Sequence, residues 1–197
     1  MQGFLGIFQL AKIVLHATPN QQGLHGFPWI GSGPEKLQRR FHELRNLQGP
    51  VELYAQTVKL LASRNGGLNF AILGAKSDVA LAETIVSANP GQCLDLTGRT
   101  TLWEMIEWLR LADVVIANDT GPLHVAAALG RPLVPIYGPT DPHSTGPHGQ
   151  LDRVLQTRDL ECVPCMSQTC TWREPLACMK AITPEMVSER TMALLQG

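Results

Sequence analysis

With 197 residues, the chain is long enough for one domain with a full hydrophobic core and too short for two large ones. Hydrophobic residues make up 44% of it, as in a globular protein, and a net charge of −1 gives no electrostatic case for a nucleic-acid partner, so an anionic ligand must be held by local groups. No segment is long and apolar enough to span a bilayer, and residues 1–17 show neither a basic start nor a clear small-residue cleavage site.

Residues 13–16 are an apolar run that predicts a first parallel strand, ended by Ala17-Thr18-Pro19-Asn20. Periodicity is then lost between 18 and 49, except where Leu37, Phe41 and Leu44 would share a helical face. A structureless connection of that length is uncommon inside a compact domain, and the pattern recovers abruptly at Pro50. Residues 18–49 therefore read as an insertion or an out-of-frame stretch. The chain divides into 1–49, a first strand with this irregular segment, and 50–197, an α/β domain.

From Val51 the βα alternation is regular. Leu53, Val58, Leu60 and Leu61 predict an amphipathic helix ended by Asn65-Gly66-Gly67, followed by a strand over 69–73 that Gly74 turns into a helix starting near Ser77 and Asp78. An acid at that start suits the helix dipole. Residues 93–96 predict a short strand leading into Thr97-Gly98-Arg99-Thr100. A helix over 101–111 would carry Leu102, Met105, Ile106 and Leu109 on one face, with Thr101 and Glu104 as its capping box. Glu104 thereby reads as structural.

Residues 114–117 are a short β-branched run, as expected of a parallel strand buried on both faces. A helix follows at once: Asn118, Asp119 and Thr120 can cap it, Pro122 suits its first turn, and Gly130 stops it. The unpaired N–H groups at such a helix start favour an anion. Gly121 lets a phosphate approach the backbone, Thr120 offers a hydroxyl, and His124 can donate from the first turn. Asp119 would repel a phosphate, which suits it to accept hydrogen bonds from sugar hydroxyls beside it. A capped helix with a core histidine is the plain alternative. Residues 133–137 predict another buried strand, and Gly138-Pro139-Thr140-Asp141-Pro142 leaves its carboxyl end as a tight polar loop in which Asp141 bonds local backbone. Two loops thus face one crevice, where ligands bind in open α/β sheets.

A strand over 153–156 leads to Cys162-x2-Cys165-x4-Cys170-x7-Cys178, and a last helix opens with Thr183 as cap and Pro184 in its first turn. Four cysteines at this spacing can close a tetrahedral thiolate shell around zinc, although the second half does not repeat Cys-x2-Cys. Loop packing, with no metal required, is the preferred reading of the stretch 159–179. His16, His25, His42, His143 and His148 read as surface or packing residues.

Asp119-Thr120-Gly121-Pro122-Leu123-His124 together with Gly138-Pro139-Thr140-Asp141-Pro142 resembles the signature of glycosyltransferase family 9, the ADP-heptose:lipopolysaccharide heptosyltransferases, from about Pro50 to the C-terminus. The resemblance implies a Rossmann-like open parallel sheet with helices on both faces, one half of a GT-B type enzyme. It implies that Asp78 meets the donor ribose, that Thr97 and Gly98 lie near the base, and that cysteine clusters are a family feature at this place. Of the family's earlier helix-start pattern only Pro50 and Glu52 remain, and Lys36 is not carried over as its phosphate-approaching lysine. The implied function is binding of ADP-heptose for transfer to the lipopolysaccharide inner core, without a required cofactor, at the cytoplasmic side of the inner membrane. The acceptor site and catalytic base are expected on an N-terminal domain for which 197 residues leave no room. Competing readings are a non-catalytic nucleotide-binding remnant and a small cysteine-rich zinc protein.

Overall fold

A computed structural model describes the backbone of residues 12–16 and the residues 51–167 and 169–196. The expected helical face at Leu37, Phe41 and Leu44 and the segment 18–49 lie outside the described residues. In chain order the elements are β1 (Lys12–His16), α1 (Val51–Arg64), β2 (Asn69–Leu73), α2 (Val79–Ala88), β3 (Cys93–Asp95), α3 (Leu102–Leu111), β4 (Val114–Asn118), α4 (Gly121–Ala128), β5 (Leu133–Ile136), α5 (Pro142–Thr145), α6 (Ala177–Lys180) and α7 (Pro184–Gln196). This is the expected Rossmann-like α/β layering.

The five strands form one sheet in the order β3-β2-β1-β4-β5. β2 pairs with β3 and β4 with β5 in parallel, whereas β1 is antiparallel to both β2 and β4. The expectation of a parallel first strand is thereby corrected. A short apolar run buried between two neighbours looks the same in either direction, and its direction is set by the connection that follows, here the stretch without pattern. Because β2 and β4 both oppose β1, the carboxyl ends of β2, β3, β4 and β5 all reach the same edge of the sheet.

Side chains alternate across the pleat and feed two cores. Phe70, Ile72, Val114, Ile116, Val134 and Ile136 pack on one face, against Tyr54, Val58 and Leu61 of α1, Ile85 of α2 and Val187 of α7. Ala71, Leu73, Val115, Ala117 and Leu133 face the other way, against Met105 and Leu109 of α3 and Leu123 and Ala126 of α4. α1 ends where the Asn65 side chain accepts the Gly67 N–H at 3.0 Å. α3 begins with the expected capping box, Thr101 Oγ1 accepting the Glu104 N–H at 3.3 Å and Glu104 Oε2 accepting the Thr101 N–H at 2.7 Å. Leu102 does not join the buried face. It occupies the first position after the cap and is 55% exposed.

The strand expected over 153–156 is a 3-10 turn, Leu151–Arg153, followed by a single parallel bridge from Leu155 to Ile136. Gln150 explains the difference. Its side chain accepts the Leu133 N–H and donates to the Arg131 carbonyl, curling the approach so that Leu155 alone meets the sheet edge. The α7 cap is as expected, with Thr183 Oγ1 accepting the Met186 N–H at 3.3 Å. No helix among the described residues is long and apolar enough to cross a membrane.

Candidate functional site

Four loops gather at the carboxyl edge of the sheet, following β2, β3, β4 and β5. The first two are built on each other. The Gly98 N–H donates to the Gly74 carbonyl at 2.9 Å, and Gly98 has φ +68°, so the chain crosses the β2 loop in a left-handed conformation that suits glycine. A Cβ at Gly98 would stand 2.9 Å from Lys76 Cγ and 3.0 Å from Lys76 Cα. Thr97 and Asp78 are each 3% exposed, and a Cβ at Gly74 would touch both at 3.1 Å. Asp78 Oδ2 accepts the Ala75 N–H at 2.8 Å, and Ser77 Oγ donates to its Oδ1 at 3.2 Å. Its carboxylate is thus turned onto the loop that it shapes.

The β4 loop carries the residues expected to meet an anion. Thr120 is the extended N-cap residue of α4, but its side chain makes no capping hydrogen bond; its hydroxyl donates to the Asn118 carbonyl at 3.2 Å, and the residue is 5% exposed. Side-chain capping by Thr120 is therefore corrected to backbone positioning. Gly121 opens the helix with nothing within 4 Å of the place a Cβ would take, so the backbone there is approachable. His124 lies one position past Leu123, on the first turn, with its side chain 43% exposed.

Asp119 is more committed than the sequence implies. Its Oδ1 faces the Tyr137 hydroxyl at 3.0 Å and His124 Nε2 at 3.3 Å, and its Oδ2 accepts from Thr145 Oγ1 at 2.8 Å. Those partners come from α4, the end of β5 and α5, so one carboxylate ties two crevice loops together. The Tyr137 hydroxyl also reaches the Thr145 carbonyl at 2.8 Å, and burial, followed by the Asp119 charge, pushes its pKa up. Because a carboxylate only accepts, the His124 Nε2 carries the proton. Its Nδ1 can then donate to an anion when the ring is an imidazolium.

In the β5 loop, Asp141 is the local turn-former expected, accepting the His143 N–H and the Ser144 hydroxyl, each at 3.0 Å. These bonds, the backbone one first, hold its carboxyl below the usual range. Gln156 Nε2 donates to the Gly138 and Thr140 carbonyls at 3.1 and 2.8 Å, fixing the loop from behind. At the start of the crevice, Tyr54 of α1 donates to Asn118 Oδ1. Tyr137, Thr145, Gln156 and Tyr54 were not anticipated as site residues. A buried aromatic with a polar tip at a strand's carboxyl end is the available signal for Tyr137, since such a hydroxyl needs a partner.

The family model described as glycosyltransferase family 9 (heptosyltransferase) matches residues 50–175, most of the chain and all four loops. The chain belongs to glycosyltransferase family 9. Its match begins at the residue where regular βα alternation resumes. Lipooligosaccharide heptosyltransferase 2 of Haemophilus influenzae is 30% identical over 186 residues, 91% of this chain and 49% of the relative. The solved E. coli ADP-heptose lps heptosyltransferase II superposes with a TM-score of 0.60 at 27% identity, covering 77% of this chain and 43% of that one. The solved E. coli heptosyltransferase WaaC with ADP shares the fold, with a TM-score of 0.59 at 24% identity, covering 76% and 41% respectively. The chain therefore spans about half, or less, of the length of these family 9 proteins.

Proposed function

We propose that this chain is the donor-binding half of a family 9 glycosyltransferase, taking ADP-heptose for transfer to the lipopolysaccharide inner core. The observation that carries this reading is the α4 start: an open backbone at Gly121 beside the exposed His124, whose ring Asp119 holds through Nε2. A diphosphate seated there would meet N–H groups at the positive end of α4 and, when the ring is protonated, the His124 Nδ1–H, donors that stabilise the charge developing on the leaving group. The names of the relatives support heptose and lipopolysaccharide, and ADP stands in the names of both structural neighbours.

In this reading Asp119 positions His124 and the β5 loop, rather than presenting free oxygens to a sugar. Thr120 contributes backbone shape, and Asp78 acts through the loop on which Thr97 and Gly98 sit, at the nucleotide edge of the crevice. The base that removes the acceptor's proton and the lipopolysaccharide site belong to an acceptor domain outside residues 50–197, working at the cytoplasmic face of the inner membrane.

Calorimetric titration of the full chain with ADP, UDP and GDP tests the proposal. ADP should bind preferentially, and His124→Ala should weaken it by roughly tenfold, as expected for loss of one charge-assisted hydrogen bond. Failure of all three nucleotides to bind a chain shown to be folded by circular dichroism would overturn it.

A further inference from the structure

The cysteine loop meets the Gly138-Pro139 turn, and its geometry does not depend on the function proposed above. We propose that Cys162, Cys165, Cys170 and Cys178 hold one zinc ion as a four-thiolate site that clamps residues 162–178 against the Gly138-Pro139 turn. All four cysteines line one cavity of about 60 Å³, together with Pro139, Trp172 and Leu176. They are free thiols, graded from the buried Cys178 through the half-buried Cys162 and Cys170 to Cys165 at the rim. Such a bowl suits a soft cation entering from solvent.

Two further features fit a thiolate cluster. Cys170 Sγ accepts the Leu176 N–H at 3.3 Å, the kind of backbone support that stabilises a metal-bound sulfur. Met166, next to Cys165, has φ 51°, and Leu176, before Cys178, has φ 61°. These are the non-glycine residues with positive φ among the described residues, and both lie in this loop. Left-handed backbone at a residue with a side chain is strained and persists where something over-determines it.

Among the described residues no group of three or more His, Cys, Asp or Glu side chains is already arranged to hold a metal. Binding therefore contracts the loop as the ion enters, in the way that thiolate sites fold with their metal. Four Zn–S bonds form, and the four thiol protons leave to solvent. The Met166 N–H already donates to the Pro139 carbonyl at 2.8 Å, and a Cβ at Gly138 would lie 3.3 Å from Cys178 Sγ, so contraction presses directly on the β5 loop.

The test is metal analysis of the untagged full chain, isolated anaerobically from zinc-supplemented cells without chelator, followed by thiol alkylation and cobalt substitution. The expected result is about one zinc per chain, four thiols protected from alkylation until a chelator is added, and sulfur-to-cobalt charge-transfer absorption after exchange. Cys165→Ser, at an exposed position that the core does not need, should lower zinc affinity by at least about 10-fold while the circular dichroism spectrum is kept. Less than about half an equivalent of zinc in folded protein overturns the proposal, as do zinc retention unchanged in both Cys165→Ser and Cys170→Ser or intramolecular disulfides in the non-reduced chain.

Discussion

Gly98 shows how much of the crevice rests on single atoms. Its left-handed φ and the 3.0 Å approach to Lys76 Cα leave no place for a side chain, because the obstructing atom is backbone. Gly98→Ala should destabilise the chain by roughly 2–4 kcal/mol, combining left-handed strain with overpacking. Gly91→Ala, at φ 76° with open space around it, should lose only about 1 kcal/mol. Urea titration of both variants reads the difference; equal losses would mean that the Lys76 contact costs nothing. At this scale the sequence speaks of residue chemistry but not of partners. Asp119 is recognisable as a polar group at a strand end, yet Tyr137 and Thr145, which consume its oxygens, lie 18 and 26 positions away, joined only by folding.

Among the elements, α3 depends most visibly on its first turn. Thr101 and Glu104 exchange hydrogen bonds, and the Thr101 hydroxyl also donates to Glu104 Oε2 at 2.8 Å. The backbone bond, with the hydroxyl after it, lowers the Glu104 pKa. Thr101→Ala should cost about 1 kcal/mol in a urea titration, and Thr101→Ser should restore most of it; no loss in the alanine variant would contradict the capping role. Caps, glycine stops and apolar periodicity made α1, α3, α4 and α7 and the strands β2, β4 and β5 legible, because each is written within a few neighbouring residues. The direction of β1 was not, since it depends on which neighbours the strand meets rather than on its own residues. Nor was the loss of a strand after Leu151, where one glutamine side chain overrides β propensity.

For the molecule as a whole, the titrating groups point to alkaline sensitivity. Burial pushes the Cys93 thiol up from 9.0 to about 11 and also raises Tyr54 and Tyr137 above their ordinary values. A folded state that holds protons more tightly than the unfolded chain is favoured below the ordinary pKa, and that advantage is lost as pH rises through the folded one. The urea midpoint should therefore be level up to about pH 9 and fall between about pH 9 and pH 11, with Cys93→Ala softening the early part of the fall. A midpoint that rose over this window would contradict the buried-thiol account.

The reversed strand β1 also bears on how the sheet comes together. Without it, the sheet is two separate parallel pairs, β3-β2 and β5-β4, each assembled from strands joined through one intervening helix. β1 touches both pairs and comes from beyond the long segment that separates it from Val51. The two pairs can thus collapse early and independently, while closing the full sheet waits on a distant search. The slow step in folding is then the arrival of one five-residue strand that must satisfy two waiting edges at once.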